Sequence, residues 1–430
     1  MKLLIANYRY FVSGGPERYM FNLINALDAH GHEIVPFSVR YDRNRPTPYA
    51  RYFVPPLGSE SEITFREQQQ TPGTLWRTVQ RLFYAPEVER AVRRLVVDTQ
   101  PQVAYILHYL RKLSPSLLVG LKKEMVPVAV RLSDYAMVCP QSHCLRDDQP
   151  CRLCAQGNLV RSIRYRCVQH SLAASILNAL ATWYHRFRHY FDLIDVFVTT
   201  NSFMYQTMVS AGFPEKRLRC IPTFVDAEIF RPSPGFAKDG YIAYAGRLVP
   251  TKGVHVLIDA FAQLRRRQSV LDLQLRIAGS GDEQYTSALK DRVERANLGE
   301  SVQFVGELAE AELSIFLSRA LLSVVPSLWY DNLPNAILES YACGTPVLAS
   351  NHGSLSECVD DSETGYLFRA GDADYLANRL KHCLDNPGQI NHMSYRAREV
   401  AEQRYSAVGH LATLEQLLGE LAKGSKRQRL

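Results

Sequence analysis

The sequence predicts an α/β protein of two domains, each built on a parallel β-sheet with helices in the connections. The chain has 430 residues and 46% hydrophobic content, which is enough to bury two cores. Short apolar runs alternate with amphipathic helical stretches in both halves. Several of these runs end in glycine-containing turns just before a helix, as strands of doubly wound sheets do. We place the first domain at residues 1–220 and the second at 221–395.

The first domain opens with a predicted strand at residues 2–6 and a helix whose apolar residues recur at helical spacing from Met20 to Leu27. Gly14 and Gly15 lie between them, where a Gly-Gly pair lets backbone amides approach a phosphate. Many tight strand-to-helix turns also need glycine, so the pair alone indicates little. Further strands are predicted at residues 103–107, 126–131, 196–200 and 219–221, and residues 41–85 are predicted to be a long, partly irregular excursion.

His108 ends the strand at residues 103–107. At a strand end a histidine can face a ligand, or it can be structural, because its ring nitrogens easily find backbone partners. Both interpretations stay open on sequence alone.

A cysteine-rich insertion is predicted at residues 139–167, with Cys139, Cys144, Cys151 and Cys154 near its start. Four thiolates can close a tetrahedral structural zinc site that folds a loop without a core of its own. The alternative is a set of reduced thiols. The chain has nine cysteines, an odd number, which argues against a disulfide framework.

A basic aromatic helix is predicted at residues 170–191. No Asp or Glu occurs from Gln149 to Phe191, whereas arginines flank apolar and aromatic residues at helical spacing. This composition is typical of a helix that lies on an anionic membrane surface. A core helix with a solvated basic flank fits the same pattern.

The charge of the chain restricts the class of partner. The net charge is +7, and residues 1–220 contain 28 Lys and Arg against 17 Asp and Glu, whereas the remainder contains 22 against 26. A basic first domain suggests an anionic acceptor or membrane surface. Nucleic acid is disfavoured, since zinc-finger spacing, an RNA-binding aromatic signature and heptads are all missing. With no run of eighteen apolar residues and no export signal, we expect a cytoplasmic protein, soluble or peripheral on the inner face of the membrane.

The second domain begins with a strand from Tyr241 that ends in Gly246 and Arg247, followed by Lys252 and an amphipathic helix. Two cations at a strand-to-helix turn provide fixed positive charge for a diphosphate group. Exposed loop cations are common, so this spacing by itself is only suggestive.

Two more strands in this domain end in glycine. The strand at 273–278 precedes Gly279 and Gly281, and the strand at 302–305 precedes Gly306. Gln284 stands where a dinucleotide fingerprint would have its third glycine, which disfavours hydride transfer. We interpret the turns as points of close backbone approach to a nucleotide phosphate.

The central stretch of the domain is a strand at 321–325, a helix that begins near Pro334, and a strand at 347–349. Asp331 precedes the helix and Glu339 lies on it, so that one carboxylate can face a ligand's reactive end and the other a distant hydroxyl. An ordinary βαβ crossover whose acids face water is the alternative. A later strand at 364–368 and a helix at 372–384 complete the sheet.

The residues and spacing of these motifs resemble those of the retaining glycosyltransferases of family 4. Residues 326–335 match the pattern P-S-x-W-x-E-N-x-P-N, which opens the E-x7-E signature, with Asp331 in place of the first Glu. Residues 246–253 match G-R-L-x-x-x-K-G, and residues 221–226 are similar to the interdomain I-P-N-G-V-D, with Thr223 in place of Asn. The resemblance extends over nearly the whole chain.

The resemblance implies the GT-B architecture, two Rossmann-like domains facing a cleft, with a C-terminal helix in 396–430 that crosses back to the first domain before a disordered basic tail. Arg247 and Lys252 would neutralise the departing diphosphate without a divalent metal, while Asp331 and His108 would contact the donor sugar and Glu339 the ribose. The residues expected to bind the donor are Gly14, Gly15, Gly279, Gly281, Gly306, Leu333, Pro334, Asn335 and Glu339.

The expected function is transfer of a hexose from a nucleotide diphosphate donor to a glycan or lipid-linked glycan, in polysaccharide or lipopolysaccharide biosynthesis. No catalytic cofactor is expected, and the zinc would be structural. The alternatives are a nucleotide-sugar 2-epimerase of the same fold and a catalytically silent protein that binds sugar nucleotides or membranes, for which the Asp331 substitution is a hint.

Overall fold

The structure is a computed structural model that describes residues 1–61, 71–147, 149–267 and 272–429, with side chains up to residue 424. It divides into two compact units. The first contains Met1–Cys144, Arg152–Ile221 and Leu411–Leu430, and the second contains Leu145–Cys151 and Pro222–His410.

The first unit is built on a six-stranded parallel sheet. The strands of the N-terminal half are β1 Lys2–Asn7, β2 Glu33–Phe37, β3 Val103–His108, β4 Val128–Arg131, β5 Leu145–Arg146, β6 Gln149–Pro150, β7 Val196–Thr199 and β8 Leu218–Cys220. The sheet has the order β2-β1-β3-β4-β7-β8, while β5 and β6 form a separate antiparallel pair that falls in the second unit. The helices are α1 Gly15–Ala29, α2 Pro72–Phe83, α3 Pro86–Thr99, α4 Ser116–Lys123, α5 Val160–Arg164, α6 Leu172–Phe187 and α7 Ser202–Ser210.

The second unit is also a six-stranded parallel sheet, in the order β11-β10-β9-β12-β13-β14. Its strands are β9 Tyr241–Ala245, β10 Gln274–Ala278, β11 Val302–Gly306, β12 Leu322–Val325, β13 Val347–Ser350 and β14 Gly365–Phe368. Its helices are α8 Val254–Arg267, α9 Glu283–Arg295, α10 Glu310–Arg319, α11 Asn335–Ala342, α12 Leu355–Cys358, α13 Ala373–Asp385 and α14 Pro387–Arg404. These two parallel sheets, one in each unit, confirm the predicted α/β class.

Strand β9 shows why the second sheet is covered on both faces. Ile242 and Tyr244 pack into one buried apolar cluster, and Tyr241 and Ala243 pack into another. Successive side chains of a strand point to opposite faces, so a strand that is apolar throughout buries two layers of helices. The loops at the carboxyl ends of the strands are then left for ligand binding.

The chain ends in helix α15, Ala407–Arg429, whose residues from Leu411 belong to the first unit. In that unit His30 and His32 each contact the Glu415 carboxylate, at 2.9 and 3.0 Å. The basic tail, for which the sequence predicts disorder, continues this helix. Gly424 is the one glycine of the tail that begins at Lys423, and the Lys, Arg and Gln residues of the tail favour helix. No helix among the described residues has both the length and the apolar content to cross a bilayer.

Helices α2 and α6 are joined by a buried histidine. His185 of α6 donates from Nε2 to the Leu82 carbonyl of α2 at 2.8 Å, and the rings of Phe83 and Tyr184 meet at 5.6 Å. Burial lowers the pKa of His185 to about 4, because the charged ring would lose its hydration.

We expect His185 to make the first unit less stable in acid. An exposed histidine has a pKa of about 6.5, so between pH ~6.5 and ~4 the unfolded chain binds more protons than the folded one. Above this range the histidine does not reduce the free energy of unfolding. As the pH falls through the range, that free energy decreases progressively, by about 3 kcal/mol in total. Urea unfolding midpoints at pH 7, 5.5 and 4.5 should therefore fall less steeply for His185→Gln than for the unmodified chain. His143→Gln, at an exposed position, is the matched control. An identical pH slope for His185→Gln and the unmodified chain would contradict this role.

Candidate active site

The loops that follow β9, β10 and β11 are joined by backbone hydrogen bonds. The Gly246 amide donates to the Ala278 carbonyl at 3.0 Å, and the Gly279 amide donates to the Gly306 carbonyl at 2.7 Å. The glycine turns predicted at three strand ends therefore lie side by side, at one edge of the second sheet.

Gly279 and Gly281 are glycines for a reason that the sequence did not reveal. At Gly279, where φ is 134°, a Cβ would lie 1.9 Å from the Gly246 carbonyl oxygen. At Gly281 it would lie 2.1 Å from the Leu248 carbonyl oxygen. Any side chain would force the neighbouring loops apart, so backbone packing alone explains both glycines. Their contact with a donor, like that of Gly306, stays a prediction.

Lys252 is carried to the end of β12 by a tight turn. Gly253 has a φ of 71°, and a Cβ there would lie 1.9 Å from the Pro326 carbonyl oxygen. The Leu328 amide also donates to the Thr251 carbonyl at 2.8 Å. This close approach places Lys252 Nζ 2.5 Å from Asp331 Oδ2. The structure thus pairs two of the residues to which the sequence gives catalytic roles.

The Asp331 carboxylate is buried and held by further bonds. The Ser327 hydroxyl donates to Asp331 Oδ2 at 2.9 Å, and the Ser354 hydroxyl donates to the Asp331 backbone carbonyl at 2.6 Å. His352 donates from Nε2 to the Ser327 carbonyl at 2.8 Å. Burial lowers the pKa of His352, which keeps its ring neutral beside the ion pair. The position of this carboxylate is therefore fixed from both its side chain and its backbone.

Arg247 differs from Lys252 in its surroundings. Its side chain is exposed and, among the described residues, forms neither an ion pair nor a hydrogen bond. Its backbone is fixed instead, because the buried Tyr244 hydroxyl donates to the Arg247 carbonyl at 2.9 Å. Asp331 already neutralises Lys252, whereas Arg247 offers an unpaired charge on a held backbone.

Helix α11 begins four residues after Asp331. Pro334 is its N-cap and supplies no side-chain bond, Asn335 is its first residue, and Leu333 precedes them. The positive end of the helix dipole is therefore not capped by its own N-cap side chain. Glu339 lies further along α11 and is buried. In the second unit Arg247, Lys252, Asp331 and α11 belong to neighbouring strand ends, a geometry that suits an anionic ligand.

His108 lies in the first unit, at the carboxyl end of β3. Its Nε2 is 3.2 Å from Asp134 Oδ2, and its ring meets Tyr8 edge-on at 5.6 Å. Burial by itself raises the pKa of Asp134, but the His108 hydrogen bond and charge lower it overall. Nδ1 of His108 is buried and has no hydrogen-bond partner among the described residues. An unpartnered buried nitrogen is uncommon in a purely structural histidine. Contact of His108 with the donor sugar stays a prediction.

The Gly14–Gly15 turn starts helix α1 in the first unit. Glu17 is buried in the first turn of that helix, where it accepts from the Ser13 hydroxyl at 3.0 Å and lies 3.8 Å from Arg9. A carboxylate at this position interacts favourably with the helix dipole. Donor binding by Gly14 and Gly15 stays a prediction.

The four insertion cysteines do not form a metal site in the described residues. The thiols of Cys139 and Cys144 are hydrogen-bonded, and this bond together with backbone amides of the same loop lowers the pKa of Cys139 to about 6 against the effect of burial. Cys151 follows β6 and falls in the second unit, whereas Cys154 falls in the first. No group of three or more His, Cys, Asp or Glu side chains within the described ranges is arranged to hold a metal ion. Within the described residues the four cysteines are therefore not gathered at one point.

Zinc binding itself stays a prediction that metal analysis can decide. If the four thiolates close around zinc in solution, protein purified without chelator should contain one zinc per chain. Cys154→Ser should lose that zinc, whereas Cys220→Ser, an exposed cysteine outside the insertion, should retain it. No zinc, together with freely titratable thiols under native conditions, would reject the site.

Several residues at these sites were missed by sequence reasoning. Ser327, His352 and Ser354 hold Asp331, and Asp134 pairs with His108. Each follows a strand closely, so position at a strand end was an available signal. The partner that each would meet was not readable, because the pairs come from different segments of the chain.

Comparison with known proteins gives a family model that matches within the second unit, and several sequence relatives. Residues 226–400 match the family model described as glycosyl transferases group 1. Over 193 residues the chain is 31% identical to the MMP alpha-(1->4)-mannosyltransferase of Mycolicibacterium hassiacum, covering 44% of this chain and 45% of that protein. It is 28% identical over 240 residues to the GDP-mannose-dependent alpha-(1-6)-phosphatidylinositol monomannoside mannosyltransferase of Mycolicibacterium smegmatis, covering 52% and 62%. The chain thus spans less than two thirds of the length of these relatives.

Solved structures match over nearly the whole chain. Sucrose-phosphate synthase from Thermosynechococcus elongatus has a TM-score of 0.73 at 20% identity, covering 98% of this chain and 99% of that one. Anabaena HepE in complex with UDP-glucose has a TM-score of 0.66 at 18% identity, covering 98% and 100%. The chain therefore has the GT-B fold, and its C-terminal half is similar in sequence to group 1 glycosyl transferases.

Proposed function

We propose that this protein is a retaining glycosyltransferase of family 4 that moves a sugar from a nucleotide diphosphate donor to a glycan or lipid-linked glycan. The observation that carries the proposal is the grouping of Arg247 with the Lys252–Asp331 pair at strand ends of the second unit. The matched family model and the nucleotide-sugar enzymes among its relatives support the donor class. A role in polysaccharide biosynthesis rests on the family resemblance and on the basic first domain.

In this reaction the bond between the anomeric carbon and the diphosphate oxygen breaks, and its electron pair leaves with the diphosphate. The acceptor hydroxyl oxygen forms the new bond to the same carbon, and its proton passes to the departing diphosphate or to water. Negative charge therefore develops on the leaving oxygen, which is the charge that Arg247 and Lys252 would stabilise. Stabilisation by fixed cations fits a residue such as Arg247, whose backbone is held and whose charge is unpaired.

The test is incubation with a panel of nucleotide sugars and detection of free nucleoside diphosphate and of glycoside. We expect nucleoside diphosphate to be released only when an acceptor is added. We also expect a glycoside to form whose anomeric configuration, α or β, is the same as that of the donor. Conversion of the donor into its C2 epimer, still attached to the nucleotide and without glycoside, would point to the epimerase alternative. Neither release nor epimerisation with any donor, while nucleotides still bind, would point to a silent binding protein.

A further inference from the structure

Helix α6 in the first unit has its large and small side chains on unexpected faces. Its buried residues are small or polar: Ser175, Ala179, Ala181, Thr182 and His185. Its exposed residues are large and apolar: Leu172 is 48% exposed, Ile176 37%, Leu180 48%, Trp183 53% and Phe187 62%. A helix that served only the core would show the reverse pattern.

The exposed residues form one continuous stripe. They recur at spacings of four, four, three and four residues, which places them on one side of the helix. The rings of Trp183 and Phe187 stack with their centroids 5.1 Å apart and 11° between their planes. We call Leu172, Ile176, Leu180, Trp183 and Phe187 the α6 stripe. A contiguous apolar surface of this kind marks an interaction site.

The surroundings of the α6 stripe are basic. Arg164 and Arg166 precede α6 and Arg188 follows it, and all three side chains are exposed. Helix α2 packs against α6 and adds exposed Leu75, Trp76 and Arg77, and it too contains no acidic residue. The first acid after the helix, Asp192, is paired with His189 at 2.9 Å.

We propose that the α6 stripe docks on an anionic lipid surface, with α6 lying in the plane of the interface. Large aliphatic and aromatic side chains enter the boundary between headgroups and acyl chains, and flanking arginines meet lipid phosphates. A protein partner with an apolar groove would fit the α6 stripe, but it would not explain the exposed arginines that flank the helix. This docking is independent of the proposed reaction, because it involves none of the residues given a role in it.

The experiment is flotation of the full chain with vesicles of phosphatidylcholine alone or with about a third phosphatidylglycerol. Binding to the anionic vesicles should be strong at 50 mM salt and should fall several-fold at 500 mM, since the Debye length shrinks. Trp183→Ser combined with Phe187→Ser should lower the bound fraction roughly tenfold or more. The matched control is Val97→Ser combined with Met125→Ser, two exposed apolar residues elsewhere in the first unit, which should bind normally.

The electrostatic part has its own variants. Arg164→Gln with Arg188→Gln should weaken binding to anionic vesicles and flatten its salt dependence, whereas Arg90→Gln with Arg94→Gln, exposed on α3, should not.

Flotation that is absent, or unchanged by Trp183→Ser with Phe187→Ser, would overturn the proposal, as would equal binding to neutral and anionic vesicles. So would a dimer in sedimentation that this double variant converts to monomer, because the stripe would then be an interface between copies. Since flotation requires no turnover, an inactive enzyme would leave this test intact.

Discussion

Alanine at Arg247 or at Lys252 is expected to lower turnover of the nucleotide sugar by roughly ten- to hundredfold for each residue, because a charge-assisted contact to the leaving diphosphate contributes about 1.5 to 3 kcal/mol. The loss of activity should have a different cause in each variant. Arg247 has no side-chain partner to lose within the part of the chain that the structure describes, so its effect should belong to the donor complex alone. Lys252→Ala also leaves the buried Asp331 without its cation, so we expect the larger loss there.

The measurement is steady-state release of nucleoside diphosphate with one donor, alongside thermal unfolding of each variant. Arg247→Ala should unfold at the same temperature as the unmodified protein, whereas Lys252→Ala should unfold at a somewhat lower temperature. Arg319→Ala, an exposed arginine at the end of α10, is the control and should keep full activity. Unchanged turnover in both Arg247→Ala and Lys252→Ala would remove the leaving-group role.

The arrangement of strands and helices was largely predictable because buried parallel strands leave a strong signal. The runs predicted at 103–107 and 321–325 are β3 and β12 almost residue for residue. The excursion at 41–85 was less readable, and it contains helix α2 at Pro72–Phe83. The apolar residues of α2 do recur at helical spacing, at Leu75, Trp76, Val79, Leu82 and Phe83, but the stretch is short and the prolines and polar residues around it obscure the signal. Residues 62–70 of the excursion lie outside the described residues.

The contacts of the site were less predictable than its residues. The sequence shows that Lys252 and Asp331 both follow strands, but 79 positions separate them, and only the close packing of Gly253 on Pro326 brings them together. For α6 the pattern predicted a helix with basic flanks, but periodicity alone did not say which side faces the core. The burial of small residues and exposure of large ones comes from the way the neighbouring elements pack.

Asp331→Ala is expected to lower kcat roughly ten- to hundredfold and to change the donor KM much less. Its carboxylate accepts from both Lys252 and Ser327, so its removal leaves the lysine unheld and takes away the carboxylate that the family resemblance assigns to the donor sugar. A contact that strengthens as positive charge develops on the sugar contributes mainly in the transition state. Asp331→Asn separates charge from shape, because the amide can still accept from Ser327 but cannot pair with Lys252. It should be almost as slow as the alanine variant.

Glu339→Ala should show the opposite division between the two constants. If Glu339 binds the ribose, its contact is remote from the bond that breaks and is equally strong in the ground and transition states, so the donor KM should rise about tenfold or more while kcat stays near normal. Glu339→Gln, which keeps the length of the side chain, should lose less. Steady-state kinetics of all four variants with one donor decides between the two roles. If Asp331→Ala retains a normal kcat, then Asp331 is only a residue that forms the turn before α11 and holds Lys252, and its contact with the donor sugar is excluded.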